Sequence, residues 1–257
     1  MKIENNTTEY NMHESMPLVS VVTVVLNKKS EIEETILSVI TQSYGNIEYI
    51  VIDGGSNDGT LDIIKKYGYA IDKWISKKDA GIYDAMNKAI DLATGQWINF
   101  MNAGDAFVSN SVLNDIFTRN LHKECDILFG DHQVSYKDGK VKNISAGNIE
   151  NLWKGSQFCH QASFVKLEAH KRRKFNISKK IVADFDFFYE SKKSKLRFKR
   201  IELFVARCEA GGLSDSKRIQ TTIAWWMTID EKIRSLHIYA TRLVIEILKL
   251  VVKKVVQ

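Results

Sequence analysis

The chain has a single proline, Pro17, and no tract dominated by glycine, serine or any other one residue, so a proline-rich linker or a low-complexity segment is excluded. Its three cysteines, Cys125, Cys159 and Cys208, follow no C-x-x-C spacing, which argues against both a disulfide framework and a zinc site. Neither G-x-G-x-x-G nor G-x-x-x-x-G-K-[ST] occurs, so any phosphate must be neutralised by something other than a glycine-rich backbone cradle. No serine or cysteine stands in a nucleophile-elbow context, and the histidines form no cluster. No apolar run approaches the roughly 18 residues that span a bilayer. Residues 1–16 are polar and lack a signal-like apolar core; they read as a flexible N-terminal arm of a cytoplasmic protein.

What is present is enough apolar material for a sizeable core, with 44% hydrophobic residues over 257 positions. The net charge of +6 is concentrated late, in Lys171-Arg172-Arg173-Lys174, Lys179-Lys180, Lys192-Lys193, Lys199-Arg200 and Lys253-Lys254. That distribution implies an anionic partner, whether nucleic acid, an anionic membrane surface or a diphosphate-bearing molecule. The basic residues are not interleaved with RNA-binding aromatics, which points away from nucleic acid.

Val19 to Leu26 is a nearly continuous β-branched run, the pattern of a strand covered on both faces. Ser30 and Glu33 suggest a capping box, followed by a helix with Ile32, Ile36, Leu37, Val39 and Ile40 as its apolar stripe. Glu48 to Ile52 is a second buried strand, running into the turn residues Asp53-Gly54-Gly55-Ser56-Asn57-Asp58-Gly59-Thr60 and a helix over Leu61 to Tyr67. Lys73 to Ser76 is a third strand. After it, Ile82, Ala85, Met86, Ala89, Ile90 and Ala93 keep helical spacing, and Gly95 is expected to stop that helix in a left-handed conformation. Gln96 to Asp105 is then a fourth strand ending in Asn-Ala-Gly-Asp. Repeated strand-helix units make a mostly parallel α/β sheet with Asp53, Asp79 and Asp105 along one rim, where such sheets bind ligands.

The second half changes character. Cys125 to Gly130 and His132 to Tyr136 are strand-like, and Lys137-Asp138-Gly139-Lys140 is a hairpin turn leading to Val141–Ile144. Gln157 to Val165 reads as a strand, Val182 to Glu190 as a helix, Ile201 to Cys208 as a strand and residues 211–214 as a loop. From Lys217 onward the chain is helical, with Trp225, Trp226 and Met227 a packing cluster. In the last helix Arg242, Glu246, Lys249 and Lys253 share one face, opposite Leu243, Ile247, Leu250 and Val251. That amphipathic pattern fits either a membrane surface or packing against the body of the protein or a dimer partner.

Asp53 ends a strand and precedes glycines, so it can either accept hydrogen bonds from a nucleoside or cap its own turn. Asp105 offers the single carboxylate that a hard cation such as Mg²⁺ or Mn²⁺ needs when diphosphate oxygens and water fill the remaining positions; its alternative is a capping role.

Asp53 to Thr60, Asp79-Ala80-Gly81-Ile82-Tyr83-Asp84-Ala85-Met86-Asn87 and Phe100-Met101-Asn102-Ala103-Gly104-Asp105 occur in an order and spacing that resemble the family 2 glycosyltransferases of the A-type fold. The likeness covers roughly residues 17–210 and is greatest to bacterial enzymes of polysaccharide and O-antigen (lipopolysaccharide) assembly whose metal motif reads Asn-Ala-Gly-Asp in place of Asp-x-Asp. The resemblance implies a GT-A-like catalytic domain over 17–210, with a nucleotide half to about 106 and an acceptor half beyond it, followed by C-terminal helices over 211–257. It implies that Thr23, Val25, Asn27 and Asp53 line the nucleoside pocket and that Asp79 helps to hold the base. Gly81, Tyr83, Asp84 and Asn87 would shape the donor site, with Asn102 and Ala103 flanking the metal ligand Asp105. Asp184, within Ala183-Asp184-Phe185-Asp186, stands at the position of the catalytic base, with Asp186 its rival; at most one of the pair should point into the site. His160 and Gln161 would lie on the acceptor side, although a strand histidine is often purely structural.

The processive signature Gln-x-x-Arg-Trp is absent, which implies a single-addition enzyme. The resulting expectation is an inverting, Mn²⁺- or Mg²⁺-dependent hexosyl or N-acetylhexosaminyl transferase. It would take its sugar from a nucleoside-diphosphate sugar, UDP-linked by preference, and pass it to a lipid-diphosphate-linked oligosaccharide at the inner face of the membrane. A homodimer is allowed and nucleic acid is not expected. The alternatives are a nucleotidyltransferase, which would want a glycine-rich loop where Leu26-Asn27-Lys28-Lys29 has none, and a non-enzymatic basic protein binding membrane or nucleic acid.

Overall fold

The structure is a computed structural model that describes residues 16–256, so the expected arm over residues 1–16 lies, all but Met16, outside the described residues. Strand β1 (Val19–Val25) has every residue buried, as a β-branched strand between two helical layers should. It pairs in parallel with β2 (Ile47–Asp53) on one side and β4 (Trp97–Phe100) on the other, and β2 pairs in parallel with β3 (Lys73–Ser76). Strand β4 then meets β8 (Ser163–Lys166) antiparallel, and β8 meets β6 (Ile127–Ser135) antiparallel. Strand β6 also pairs in parallel with β9 (Phe198–Glu209) and forms a hairpin with β7 (Val141–Ile144), while β5 (Ala106–Phe107) closes the edge on β9. The sheet order is β3-β2-β1-β4-β8-β6-β9-β5, parallel through its first four strands and mixed beyond them.

The two faces of the sheet carry separate cores because side chains alternate along each strand. Val22 and Val24 pack with Met86, Ala89 and Ile90 of α3 (Ile82–Leu92) and with Phe185 and Phe188 of α6 (Ala183–Lys193). Val19, Val21 and Val25 face Ile32, Ile36 and Val39 of α1 (Ile32–Ile40), Ile64 of α2 (Thr60–Lys66) and Phe117 of α4 (Val112–Phe117). Strand order reverses at β1, so the loops after β1 and β4 open a crevice at the carboxyl ends of the parallel strands.

Several local expectations are corrected. The Ser30–Glu33 capping box does not form: Ser30 bonds the Glu31 carboxylate, and Glu33 reaches Lys66 and Tyr67. Helix α3 ends on Ala93 in an extended conformation, and Gly95 is required for close approach, since a Cβ there would lie 2.6 Å from Ser20 Oγ and 2.8 Å from the Leu18 carbonyl. The two strand-like pieces at 125–136 are the single strand β6. Gln157 to Val165 is not one strand: His160–Ala162 form a 3₁₀ turn and only then does β8 begin. Within 211–214, Leu213 opens a short helix, α5 (Leu167–Arg172) being the preceding one of similar size, and the short helix is α7 (Leu213–Ser216).

Helices α8 (Arg218–Thr228) and α9 (Lys232–Val256) complete the chain. Trp225 and Trp226 pack against the core, but Met227 is exposed. Helix α9 is rooted by Tyr239, 1% exposed, and turns Arg242 toward the body, where it donates to the Lys154 carbonyl and lies over the Tyr239 ring, while Lys249 on the same face is exposed. Arg242 is therefore turned inward, while Val244, Ile247, Leu248 and Val251 are each more than half exposed. Lys253 falls where side chains are not described. No helix among the described residues is long and apolar enough to cross a membrane.

Candidate active site

The loops after β1 and β2 are sewn together by their own polar atoms. Asn27, in a left-handed conformation, accepts from the Asn57 amide through Oδ1 and donates its own N–H to Ser56 Oγ. Lys28 N–H donates to Thr60 Oγ1 and Lys29 N–H to Asp58. Asp53 is fully buried; it accepts from Ser76 Oγ at 2.5 Å and from both the Oγ and the N–H of Ser56. Thr23, also fully buried, shares a hydrogen bond with Tyr49 Oη at 2.9 Å, and Val25 is in the core beneath the loop. Thr23 and Val25 are therefore covered beneath these loops and present no side chain to solvent, while Asn27 is exposed.

Asp79 is half-buried and accepts from the Gly81 N–H, with Oδ2 close against Gly54. Gly81 has φ +124° as the residue before α3, and Asp84 in the first turn of that helix accepts from Ala80 N–H and pairs with Lys88. Asn87 uses both ends of its amide on the backbone of Phe175, so it clamps α3 to the segment leading into α6.

Tyr83 points toward the second half. Its hydroxyl donates to Asp184 Oδ1 at 2.8 Å, and His160 Nδ1 lies 3.2 Å from Asp184 Oδ2. On its other side His160 Nε2 accepts from Asn102 Nδ2 at 3.1 Å, which leaves Nδ1–H to face Asp184. Burial by itself would raise the Asp184 pKa, but His160 and Tyr83 hold it below the usual carboxylate range. Burial likewise depresses His160, and Asp184 more than offsets it, so His160 sits above its ordinary value. The Tyr83 hydroxyl is pushed well up by burial and by the Asp184 charge. Asp186 faces elsewhere, toward Arg173 and Lys179 at 3.6 and 3.8 Å.

Gln161, next to His160 on the same 3₁₀ turn, donates to Asp105 Oδ2 at 2.6 Å. The Glu209 N–H donates to Asp105 Oδ1 at 3.1 Å. Burial lifts the Asp105 carboxyl above its ordinary range and the charge of Glu209 adds to this, against the lowering by Gln161 and His160. The Asn102-to-Asp105 turn is fixed from α1: Thr35, fully buried, donates to the Asp105 carbonyl and accepts from Gly104 N–H, while Ala103 N–H donates to Val24 O. Beneath the turn lie Cys159 and Cys208, both free thiols, with Sγ atoms 3.2 Å apart.

Consecutive residues of one turn thus grip the two acids expected to do different work: His160 holds Asp184 and Gln161 holds Asp105. Sequence reading missed Thr35, Asn99 and Glu209. Asn99 is fully buried and donates to the carbonyls of Gln161 and Ser163, placing the turn; its only signal is a lone amide within an apolar strand. Glu209 has no local signal, since only the β5–β9 pairing brings it to Asp105.

The donor set suits a hard divalent cation. Each Asp105 oxygen accepts a single hydrogen bond from the protein and keeps a further lone pair, and Asn102 Oδ1 is buried without a partner. No group of three His, Cys, Asp or Glu side chains among the described residues forms a ready cage, so nucleotide oxygens and water would complete the coordination.

The family described as Glycosyl transferase family 2 matches residues 20–185. A PGL/p-HBAD biosynthesis glycosyltransferase of Mycobacterium bovis is 29% identical over 176 residues, spanning 66% of this chain and 68% of that protein. The putative teichuronic acid biosynthesis glycosyltransferase TuaG of Bacillus subtilis is 32% identical over 127 residues, 48% of this chain and 50% of that protein. Among solved structures, S. aureus TarS 1–349 in complex with UDP-GlcNAc superposes with a TM-score of 0.65 at 17% identity, over 88% of this chain and 71% of that one. The mannosyltransferase PcManGT of Pyrobaculum calidifontis, in complex with GDP-Man and Mn²⁺, gives 0.64 at 17% identity, over 89% of this chain and 70% of that one. These two structures share the fold.

Proposed function

Since the chain belongs to glycosyl transferase family 2, and is a glycosyltransferase of mixed α/β fold, we propose that it inverts the anomeric centre as it moves one sugar from a nucleoside-diphosphate sugar to a hydroxyl of a lipid-diphosphate-linked oligosaccharide during cell-surface polysaccharide synthesis. The observation that carries this reading is the pair of consecutive clamps, His160 on Asp184 and Gln161 on Asp105, which hold on either side of one turn the two carboxylates that this reading assigns as proton acceptor and diphosphate-side acid. The acceptor class rests on the Asn-Ala-Gly-Asp motif and on the polymer named for the TuaG relative. A uridine donor follows the resemblance of the sequence blocks and the UDP-GlcNAc complex of TarS; the GDP-Man complex of PcManGT makes guanosine the alternative.

In the transfer, the acceptor oxygen attacks the anomeric carbon, its proton passes to the Asp184 carboxylate, and the bond from that carbon to the diphosphate oxygen breaks. Asp184 has one oxygen engaged by Tyr83 and the other by His160, and each keeps a lone pair for the incoming proton. Asp186 is occupied with Arg173 and Lys179 and serves structure. Asp105 and Asn102 would hold Mn²⁺ or Mg²⁺ on the diphosphate side, and the bound cation would supply stabilisation of the departing charge. Asp53 shapes the nucleoside loop, holding Ser56 and Ser76 in place.

The test pairs two variants with a panel of UDP-, GDP- and dTDP-sugars. Asp184→Asn should lower transfer by a factor of about 10²–10⁴ with donor affinity retained; Asp105→Asn should lose Mn²⁺-dependent donor binding as well. Full transfer by Asp184→Asn would remove it as the base.

The C-terminal helix supplies the membrane contact in this reading. The exposed apolar arc of α9, with Lys249 beside it, is suited to the headgroup–acyl boundary of an anionic leaflet, where a lipid-linked acceptor resides.

A further inference from the structure

Asp105 does not stand alone. Glu209 closes β9 immediately beside it: the Glu209 N–H holds Asp105 Oδ1 at 3.1 Å, and the Glu209 side chain reaches back over the adjoining glycine. Gly104 has φ +100°, and a Cβ built there would lie 3.1 Å from Glu209 Oε2. The space that a side chain at position 104 would fill is thus flanked by a carboxylate delivered from a strand more than 100 residues later in the chain, as the separation of 104 positions between Asp105 and Glu209 shows.

The surroundings do not neutralise this acid fully. Lys28 Nζ is 3.5 Å from Glu209 Oε2 but 3.1 Å from Glu31 Oε1, so one ammonium is shared between two carboxylates with Asp105 as a third acid nearby. Asn102 Oδ1, on the same turn, is buried without a partner. A negative excess next to an orphaned oxygen is the environment that a hard divalent cation relieves.

The geometry points to Glu209 as a second carboxylate ligand, direct or through one water, for the divalent cation of this site. It does for Asp105 what a neighbouring acid in the Asn-Ala-Gly-Asp turn would otherwise do. The inference rests on the proposed glycosyltransferase site and adds a ligand that no motif in the turn supplies. Glycine at 104 is then required twice over, by its backbone conformation and by the room it leaves for Glu209.

Mn²⁺ is titrated into the full chain at saturating UDP, and bound metal is read from the loss of the free Mn²⁺ paramagnetic-resonance signal. Glu209→Gln preserves the backbone N–H to Asp105 and the side-chain shape, and it should weaken Mn²⁺ binding at least tenfold with unchanged Tm and unchanged UDP affinity in EDTA. Lys28→Met separates this role from the ion pair: it should leave Mn²⁺ binding unchanged or tighter. Equal Mn²⁺ affinity in Glu209→Gln and wild type overturns the assignment, as does a loss in Lys28→Met that matches the loss in Glu209→Gln. If the wild-type chain takes up no Mn²⁺ with UDP or with GDP, the metal-dependent reading itself has failed, an outcome distinct from failure of Glu209 alone.

Discussion

Glu48 shows how a charged residue can be a structural anchor deep in this fold. It is 6% exposed and accepts from Ser20 Oγ, Lys73 Nζ and both the N–H and the hydroxyl of Thr94, so a single carboxylate joins β1, β2, β3 and the turn after α3. Burial opposes its ionisation, but these donors outweigh it and hold its pKa down to about 2. Because the folded value lies below the ordinary one of 4.5, its contribution is fully present above that value and is lost as pH falls from there toward 2. Glu48→Gln should cost roughly 2–4 kcal/mol at pH 7 by urea unfolding and flatten the decline in stability between pH 5 and 3. An unchanged slope would mean that other carboxylates govern acid stability.

At the scale of elements, the informative cases are those where pattern and placement part. Helix α9 has the amphipathic spacing read from its sequence, yet the first turns of its charged side, with Arg242 against Lys154 and Glu246 largely covered, are turned inward, and Lys249 farther along is open to solvent. The apolar side is left exposed, which for a soluble monomer is an unusual use of a hydrophobic arc. Replacing Ile247, Leu248 and Val251 together by glutamate should abolish co-sedimentation with vesicles containing phosphatidylglycerol while leaving Tm and donor binding intact. Vesicle binding that survives the triple change, or a wild-type dimer that dissociates on it in the absence of lipid, would assign the arc to another partner. The 3₁₀ turn at His160–Ala162 is the opposite case: apolar neighbours suggested strand, but a strand would send His160 and Gln161 to opposite faces. The turn lets both serve one rim.

For the whole molecule, the decisive feature is the seam between the parallel half and the mixed half. Tyr83 crosses it from α3 to Asp184, and Asn87 crosses it to Phe175. Tyr83→Phe removes one donor to the ionised Asp184 carboxylate, so the Asp184 pKa should rise and, with Asp184 as the proposed base, the acidic limb of the kcat/KM profile should move to higher pH, with a modest loss of stability of about 1 kcal/mol. A limb that stays in place would show that Tyr83 does not tune the base. Much of this architecture was legible locally. The β-branched runs of β1 and β2, the helical spacing of α3 and the three acidic strand ends specify the parallel half of the sheet, because periodicity and turn chemistry act over a few residues. The same blocks carried the family resemblance. What neighbours in sequence could not reveal was which acids have partners: that Asp53 is sealed by Ser56 and Ser76, that Asp186 belongs to Arg173 and Lys179, and that His160 and Gln161 divide Asp184 and Asp105 between them. Those facts, and the arrival of Glu209 beside Gly104, were decided by strand pairing between distant segments, since hydrogen bonds and desolvation depend on what lies across the sheet and not on what lies next in the chain.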